Sequence, residues 1–473
     1  MQRLRLIPLL TLFLTGCSLI PPYHPPQVAT PATYKEDGSW RPAGASLKNP
    51  EKWWQVFADP TLDELAERLI IDNQNIKLAE AQYRAARADL DTTRAGLMPS
   101  LGVNSAASRS MSDRLSGVAS PVSNLYSLSA QASWEIDLWG QVRSAVSAAD
   151  ARLEASEGSL GAARVSAQAL LAQSYFQMRA AEAQQALLER NLAAYERFLK
   201  LTRKRLEVGV ASPLDEAQAE TQLNTTRTQL SEAKLQRAQA EHAIATLIGR
   251  AAAEVAIAGS AQMAQVPPSP KLLPSTTLEN RYDIYSAERL VAAANAQIGV
   301  AKSAYFPAIT LGTDGGFRSA QLANLITTPA RFWSLGPAAA LTVFDGGARA
   351  AGVSLAEANY DQAVATYRQT VLTAFQEVED NLVAMRLLTD ERSSQQAALS
   401  AARKARELAE NQYRAGTVDA LNVISAQVNE LNVENATITL WNRNMAAAVQ
   451  LYKNIGGRQL PAPAPATGRT TSP

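Results

Sequence analysis

Few residues of this 473-residue chain are suited to covalent or metal chemistry. Cys17 is the only cysteine, so no disulfide can form within the chain, and the two histidines, His24 and His242, lie far apart, so no Cys/His metal cage is expected. No Gly-rich phosphate loop and no Ser/His/Asp set stands out. Glu377, Glu379 and Asp380 have the spacing of a solvated helix face rather than a paired acid and base. The sequence therefore predicts no enzyme and no cofactor. Lys plus Arg total 45 against 44 for Asp plus Glu, a net charge of +1, which leaves no cationic excess for phosphates and argues against nucleic acid as a partner. Two candidates remain. Cys17 could accept an acyl group. Asp215 closes a Ser212-Pro213-Leu214-Asp215 capping box, with Ser212 as N-cap, Pro213 at the first helical position and Asp215 reaching back.

The elements around Cys17 are those of an exported chain. Residues 1–16 start with Arg3 and Arg5, continue through an apolar run at 6–14 and end on the small residues Thr15 and Gly16. The run is too short to span a membrane as a helix, which takes about 20 residues, and no later segment supplies that length without charges. Leu14-Thr15-Gly16-Cys17 resembles the bacterial lipobox, in which cleavage leaves cysteine as an acylated first residue. The alternative is an ordinary signal peptide with an incidental cysteine; the place of the sole cysteine at the cleavage point favours acylation. Ser18, rather than aspartate, is the pattern that goes with transfer to the outer membrane. Two or three acyl chains hold firmly where one does not. Residues 17–60 then form an anchor and an extended segment, proline-rich over 21–50.

Asp215 belongs to a repeated unit. GLMPSLG at 96–102 returns as AYFPAIT at 304–310, DLWGQVR at 137–143 as VFDGGAR at 343–349, and LEVGVASPLD at 206–215 as YRAGTVDALN at 413–422. Matching Pro99 with Pro307, Gly140 with Gly346 and Gly209 with Gly416 gives offsets of 208, 206 and 207. Three near-equal offsets point to one duplicated unit. The repeats are placed at 61–249 and 278–456, joined by a Pro-bearing connector at 250–277 and followed by a disordered tail at 457–473. Each repeat reads as a helix, a hairpin (about 100–139 and 306–345), a long helix, a Gly turn and another helix.

The long helices carry a seven-residue seam: Leu171, Met178, Gln185, Leu192, Leu199 and Leu206 in the first copy, Val364, Val371, Val378 and Met385 in the second. That period specifies left-handed supercoiled packing. A helix from about 141 to 206 would be roughly 100 Å long, more than a globular core needs. Helices alone would allow a coiled-coil scaffold.

The strands argue otherwise. Tyr126, Leu128, Ala130, Ala132, Trp134, Ile136 and Leu138 alternate with Ser127, Ser129, Gln131, Ser133, Glu135 and Asp137. Ile309, Leu311, Thr313 and Phe317 alternate with Thr310, Gly312, Asp314 and Arg318; Trp333, Leu335, Ala339, Leu341 and Val343 alternate with Ser334, Gly336 and Thr342. A strand at 101–112 is weaker. A soluble sheet gives similar alternation, but an exported chain, long strands and aromatic ends fit a membrane barrel. Four strands cannot close one, and an open edge in lipid strands backbone groups at several kcal/mol each. Copies must combine around an axis, in twos, threes or fours.

These residues resemble the TolC-like outer-membrane factors, in particular the lipid-anchored OprM-type members that serve resistance-nodulation-division pumps. The resemblance rests on Cys-Ser-Leu-Ile-Pro-Pro-Tyr at 17–23, Trp54 with Phe57 and Asp59-Pro60, the Trp-Glu-Ile-Asp-Leu-Trp-Gly block at 134–140, Gly-Val-Ala-Ser at 209–212, Phe306-Pro307, and Phe-Gln-Glu-Val-Glu-Asp at 375–380. It covers nearly all of the mature chain. It implies a mainly α fold with a transmembrane β part: a trimeric α-helical barrel, a shared 12-stranded β-barrel and an equatorial belt built from the connector and chain ends. It implies an outer-membrane exit duct reaching into the periplasm, with a periplasmic adaptor, an inner-membrane pump and outer-membrane lipid as partners. Small-molecule efflux is favoured by the lipobox; metal efflux, type I protein secretion and a non-channel structural lipoprotein are the alternatives. The Gly209 and Gly416 turns would be the tips of the helical barrel. By resemblance, Leu214, Asp215, Leu421, Asn422 and Ser425 line a constriction there, and relatives often carry aspartate at the positions of Asn422 or Ser425, which leaves Asp215 as the main expected charge. At Arg281-Tyr282-Asp283 the family usually has a central proline, so an altered helix start is expected.

Overall fold

The computed structural model describes residues 19–31, 34–36, 50–111, 122–260, 262–268, 281–455 and 457. Cys17, Ser18 and the tail after 457 fall outside them, with the lipidation and disorder expected there.

The helices are α1 (Pro60–Asp72), α2 (Gln74–Ala95), α3 (Gln141–Glu207), α4 (Pro213–Leu247), α5 (Tyr282–Ser303), α6 (Ala348–Arg414) and α7 (Ala420–Ile455). The strands are β1 (Ser100–Ser110), β2 (Ser123–Glu135), β3 (Ala308–Ser319) and β4 (Arg331–Ala340). The duplication is visible in the lengths: α3 and α6 both have 67 residues, about 100 Å each. Both are rich in Ala, Leu, Gln, Glu and Arg and free of proline, so nothing interrupts their hydrogen-bond ladders.

The compact units cut across the repeats, each taking part of both copies. One holds residues 28–81, 158–285 and 369–473. In it Leu171 and Met178 of α3 share a single core with Val378 and Met385 of α6, all at most 4% exposed, so the two seams meet as the heptads require. The same core takes Trp53, Trp54 and Phe57 from a 3-10 segment, Pro50–Phe57. Phe57 packs on Phe176 at 4.9 Å and Tyr452 at 6.3 Å between ring centroids. The expectation of an extended chain through residue 60 is therefore corrected over 50–57: two tryptophans and a phenylalanine within five residues hold more apolar surface than an exposed strap keeps in water. A second cluster, with Leu187, Tyr195, Leu199, Leu223, Leu230, Leu431 and Ile438, continues along α3, α4 and α7. Tyr282 is itself the first residue of α5. Its ring lies on Gly161, where a Cβ would come within 2.3 Å of it, so the missing side chain on α3 makes room for the aromatic ring.

The other unit holds residues 1–27, 82–157 and 286–368, and with them the sheet. Its order is β1-β2-β3-β4, antiparallel throughout. The central pairing, β2 with β3, joins the hairpin of one repeat to that of the other. Gly316 is needed there, since a Cβ would approach Leu128 O to 2.1 Å. The strands stop earlier than alternation implied: β1 at Ser110 rather than 112, β2 at Glu135 rather than Leu138, β4 at Ala340 rather than Val343. For the last two the reason is capping. Asp137 accepts the Val142 and Arg143 amides (3.1 and 2.9 Å), and Asp345 accepts those of Gly347 and Arg349 (2.9 and 3.1 Å). Each acid also holds the arginine side chain, drawing the chain out of the sheet into α3 or α6. No described helix is long and apolar enough to cross a membrane.

Candidate functional site

At the first turn, Gly209 adopts φ +73°, and Val210 and Ala211 donate to Arg205 O (2.8 and 3.2 Å), closing α3 in the left-handed conformation that glycine accepts most readily. The capping box forms in both directions: Asp215 N donates to Ser212 Oγ (3.2 Å), while Asp215 Oδ2 accepts from Ser212 N and Oγ (2.8 and 2.9 Å). The carboxylate at the head of α4 is thus committed to the cap. Leu214 beside it is 64% exposed.

Gly416, at φ +76°, makes the second turn. Leu421, Asn422 and Ser425 are exposed on the first turns of α7. Here the structure adds a residue that the sequence reading passed over. Asp419 accepts from Asn422 N (3.2 Å) and Asn422 Nδ2 (2.6 Å). At the repeat offset of 207, Asp419 matches Ser212 and Asn422 matches Asp215. The carboxylate has moved from the third helical position to the cap, so the second tip also keeps a capping acid, where Asp215 was expected to supply the main charge. The offset that found the repeat could have found Asp419. The turns are tied through Arg205, whose Nη1 and Nη2 both donate to Tyr413 O at 3.3 Å while the guanidinium lies 4.2 Å from the Tyr413 ring centroid.

Away from the tips, buried charges pin the connector to the helices. Arg179 and Glu182, 8% and 7% exposed, pair at 2.8 Å. Arg179 also donates to Ala258 O (2.8 Å) and Tyr175 Oη (3.0 Å), and Glu182 accepts from Ser260 N (2.9 Å). Arg237 donates to Ile257 O (2.7 Å), and Glu241 accepts the Ile257 amide (2.8 Å). Tyr175 donates to Asp59, the N-cap of α1 (2.6 Å); burial first, and then that hydrogen bond, push its hydroxyl up to about 12. This network escaped sequence reading because its partners lie as far as 116 residues apart. Arg281 is similar: buried, it pairs with Asp283 (2.7 Å) and Glu377 (2.9 Å) and donates to Asn454 (3.2 Å). Burial alone would raise the Asp283 carboxyl, but the hydrogen bond and charge of Arg281 outweigh it and hold the group below the usual range.

In the sheet, registry resolves two faces. Opposed residues share a face, so Leu101, Val103, Leu128, Ala130, Trp134, Leu311, Phe317, Trp333 and Leu335 lie together. The opposite face carries Asn104, Ser127, Ser129, Gln131, Thr310, Asp314, Arg318 and Ser334. The oily face has no core over it: Leu101 and Val103 are 76% exposed, Trp333 82%. At the helix end of the sheet, Trp134 donates to Leu97 O (3.0 Å), and Trp139 stacks on Phe306 at 4.8 Å and donates to Pro307 O (2.8 Å).

A four-stranded sheet with a bare oily face and, among the described residues, two unpaired outer edges fits a membrane-barrel subunit, not a soluble sandwich. The chain belongs to the outer membrane efflux protein family, which matches residues 65–250 and 273–457, close to the two repeats. It is 33% identical over 456 residues to the probable efflux pump outer membrane protein TtgC of Pseudomonas putida, covering 94% of this chain and 93% of that one. It is 28% identical over 462 residues to the cation efflux system protein CusC of Escherichia coli, covering 97% and 100%. Its fold matches the CmeC outer membrane channel of Campylobacter jejuni with a TM-score of 0.87 at 26% identity, covering 93% and 95%.

Proposed function

We propose that three copies of this chain assemble into the exit duct of an efflux system in the outer membrane, working with a periplasmic adaptor and an inner-membrane pump. One observation carries the reading: a sheet whose uncovered face is oily, whose opposite face is polar and whose outer edges, on β1 and β4, are free. Pairing β4 of one copy with β1 of the next satisfies those edges. Three copies supply 12 strands, above the minimum of about eight for a transmembrane barrel and wide enough for a polar lumen. A relative from another Pseudomonas putida strain, the toluene efflux pump outer membrane protein TtgC, favours organic cargo and CusC a cation; the lipobox-like 14–17 stretch sides with small molecules over protein. The duct performs no bond chemistry. Work is done by the pump, and the duct supplies a path and a gate.

The gate is placed at the two tips, lined by Leu214, Asp215, Leu421, Asn422 and Ser425, with Asp419 added. Apolar and acidic groups together there would narrow the entrance and favour cations. Cys17 is proposed as the acylated first residue. The duct reading is tested by isolating the protein from outer membranes and measuring heat-labile oligomers on gels together with single-channel conductance in planar bilayers. A monomer without conductance would sink it in favour of a structural lipoprotein.

A further inference from the structure

The end of the sheet away from the helices carries cations without acids. On the oily face, register leaves two charged residues among the described ones: Arg109, next to last in β1, and Arg331, first in β4. Both are exposed, and neither guanidinium has an ion pair or a side-chain hydrogen bond among the described residues. The helix end differs: there Arg143 pairs with Asp137 at 3.1 Å and Arg349 with Asp345 at 2.6 Å. The other charges of the strands, Glu135, Asp314 and Arg318, lie on the opposite face. Of the two connections at the far end, residues 320–330 hold no charge by sequence, and 111–122 hold Asp113 and Arg114, which cancel.

Their height on the sheet puts them at the edge of the oil. From Leu101 to Arg109 the strand advances about 27 Å. At a tilt near 40° that is about 21 Å of height, close to the apolar band of about 25 Å on a transmembrane barrel. Here the face changes character. The Arg331 guanidinium lies 6.0 Å from the Phe317 ring centroid, and Trp333, two residues inward, is 82% exposed. Ser105, Asn124, Tyr126 and Ser319 take the place of the aliphatic residues found further in. An arginine fork matches two phosphate oxygens, and small polar groups beside aromatic rings suit a sugar better than a bare glycerol.

We propose that Arg109 and Arg331 bind the phosphates of a phosphorylated, acylated sugar lipid in the outer leaflet, with its acyl chains on the oily face and its sugar against the polar and aromatic rim. The proposal rests on the duct reading, which turns this face to lipid and this end outward. It adds to that reading a lipid-specific contact. Cationic side chains at the membrane boundary attract anionic headgroups, and no acid on this face opposes them among the described residues.

The test incubates full-length protein in detergent with bisphosphorylated lipid A, with its dephosphorylated form or with phosphatidylglycerol, and counts bound lipid by native mass spectrometry. Wild type should retain the bisphosphorylated lipid about tenfold or more over the other two. R109Q/R331Q should abolish that preference, and R318Q, on the opposite face, should keep it. Equal retention of the lipid with and without its phosphates by wild type would overturn the inference, leaving arginines that only reach for water. So would equal retention of phosphatidylglycerol, or an R318Q variant that loses as much as the double substitution. Retained heat-labile oligomers show that the variants fold, and the wild-type comparison decides without them. Wild-type conductance in phosphatidylcholine bilayers reports on the duct separately: channels without a phosphate preference refute the lipid site alone, and absence of channels refutes the duct.

Discussion

Among single side chains, Asp215 caps α4 and is proposed as a gate charge, and the two can be separated. As a cap it serves α4, and Ser212→Ala should cost about 1 kcal/mol in the thermal unfolding of the tip. As a gate charge it would set ion preference. Asp215→Asn is expected to lower the cation-over-anion permeability read from reversal potentials, and Asp419→Asn to lower it further, whereas Ser212→Ala should leave it alone. Unchanged selectivity in both Asn variants would reduce both acids to caps. Asp283 gives a pH prediction. Its carboxyl is depressed in the folded chain, so its stabilising effect is present above the ordinary value of about 4 and is lost as pH falls through the lower folded value. Acid unfolding of wild type should therefore steepen below about pH 4, and Arg281→Gln should remove that component. Asp215 could be read from sequence because its partner lies three residues away. Arg281 could not, because Glu377 and Asn454 stand 96 and 173 residues off.

Among helices and strands, what repeats locally was readable and what depends on a distant partner was not. Heptads predicted α3 to within a residue of its observed end, and the glycine turns both adopt positive φ. Alternation located β2, β3 and β4 but overran two of them, because a polar Asp137 or Asp345 continues a strand pattern while serving as a helix cap. The 3-10 segment at Pro50–Phe57 was hidden behind the proline-rich stretch before it; its tryptophans join a core that takes residues from α1 and from the distant α3 and α7. Gly316 offers a sharp element-level test. Gly316→Val should force β2 from β3 and abolish conductance and heat-labile oligomers together, while Gly336→Val, with open space around its Cβ position, should be tolerated.

For the assembled duct, the sheet faces give opposite expectations. Leu335→Arg on the oily face should cost about 2–4 kcal/mol near the bilayer centre and deplete outer-membrane oligomers, whereas Gln131→Arg on the polar face should leave oligomers intact and shift conductance. The oily face followed from alternation, but copy number did not, since free edges ask only for partners. The order of strands also dictates a timetable. Ser110 and Ser123 pair across 13 residues, so the first hairpin can zip as soon as it leaves the export machinery. Tyr126 pairs with Ser319, 193 residues later, so the central seam must wait until most of the chain has crossed the inner membrane. During that interval the first hairpin presents two unpaired edges and an oily face to the periplasm. Slow secretion or scarce chaperones should therefore harm this protein through aggregation of that early hairpin rather than through its helices.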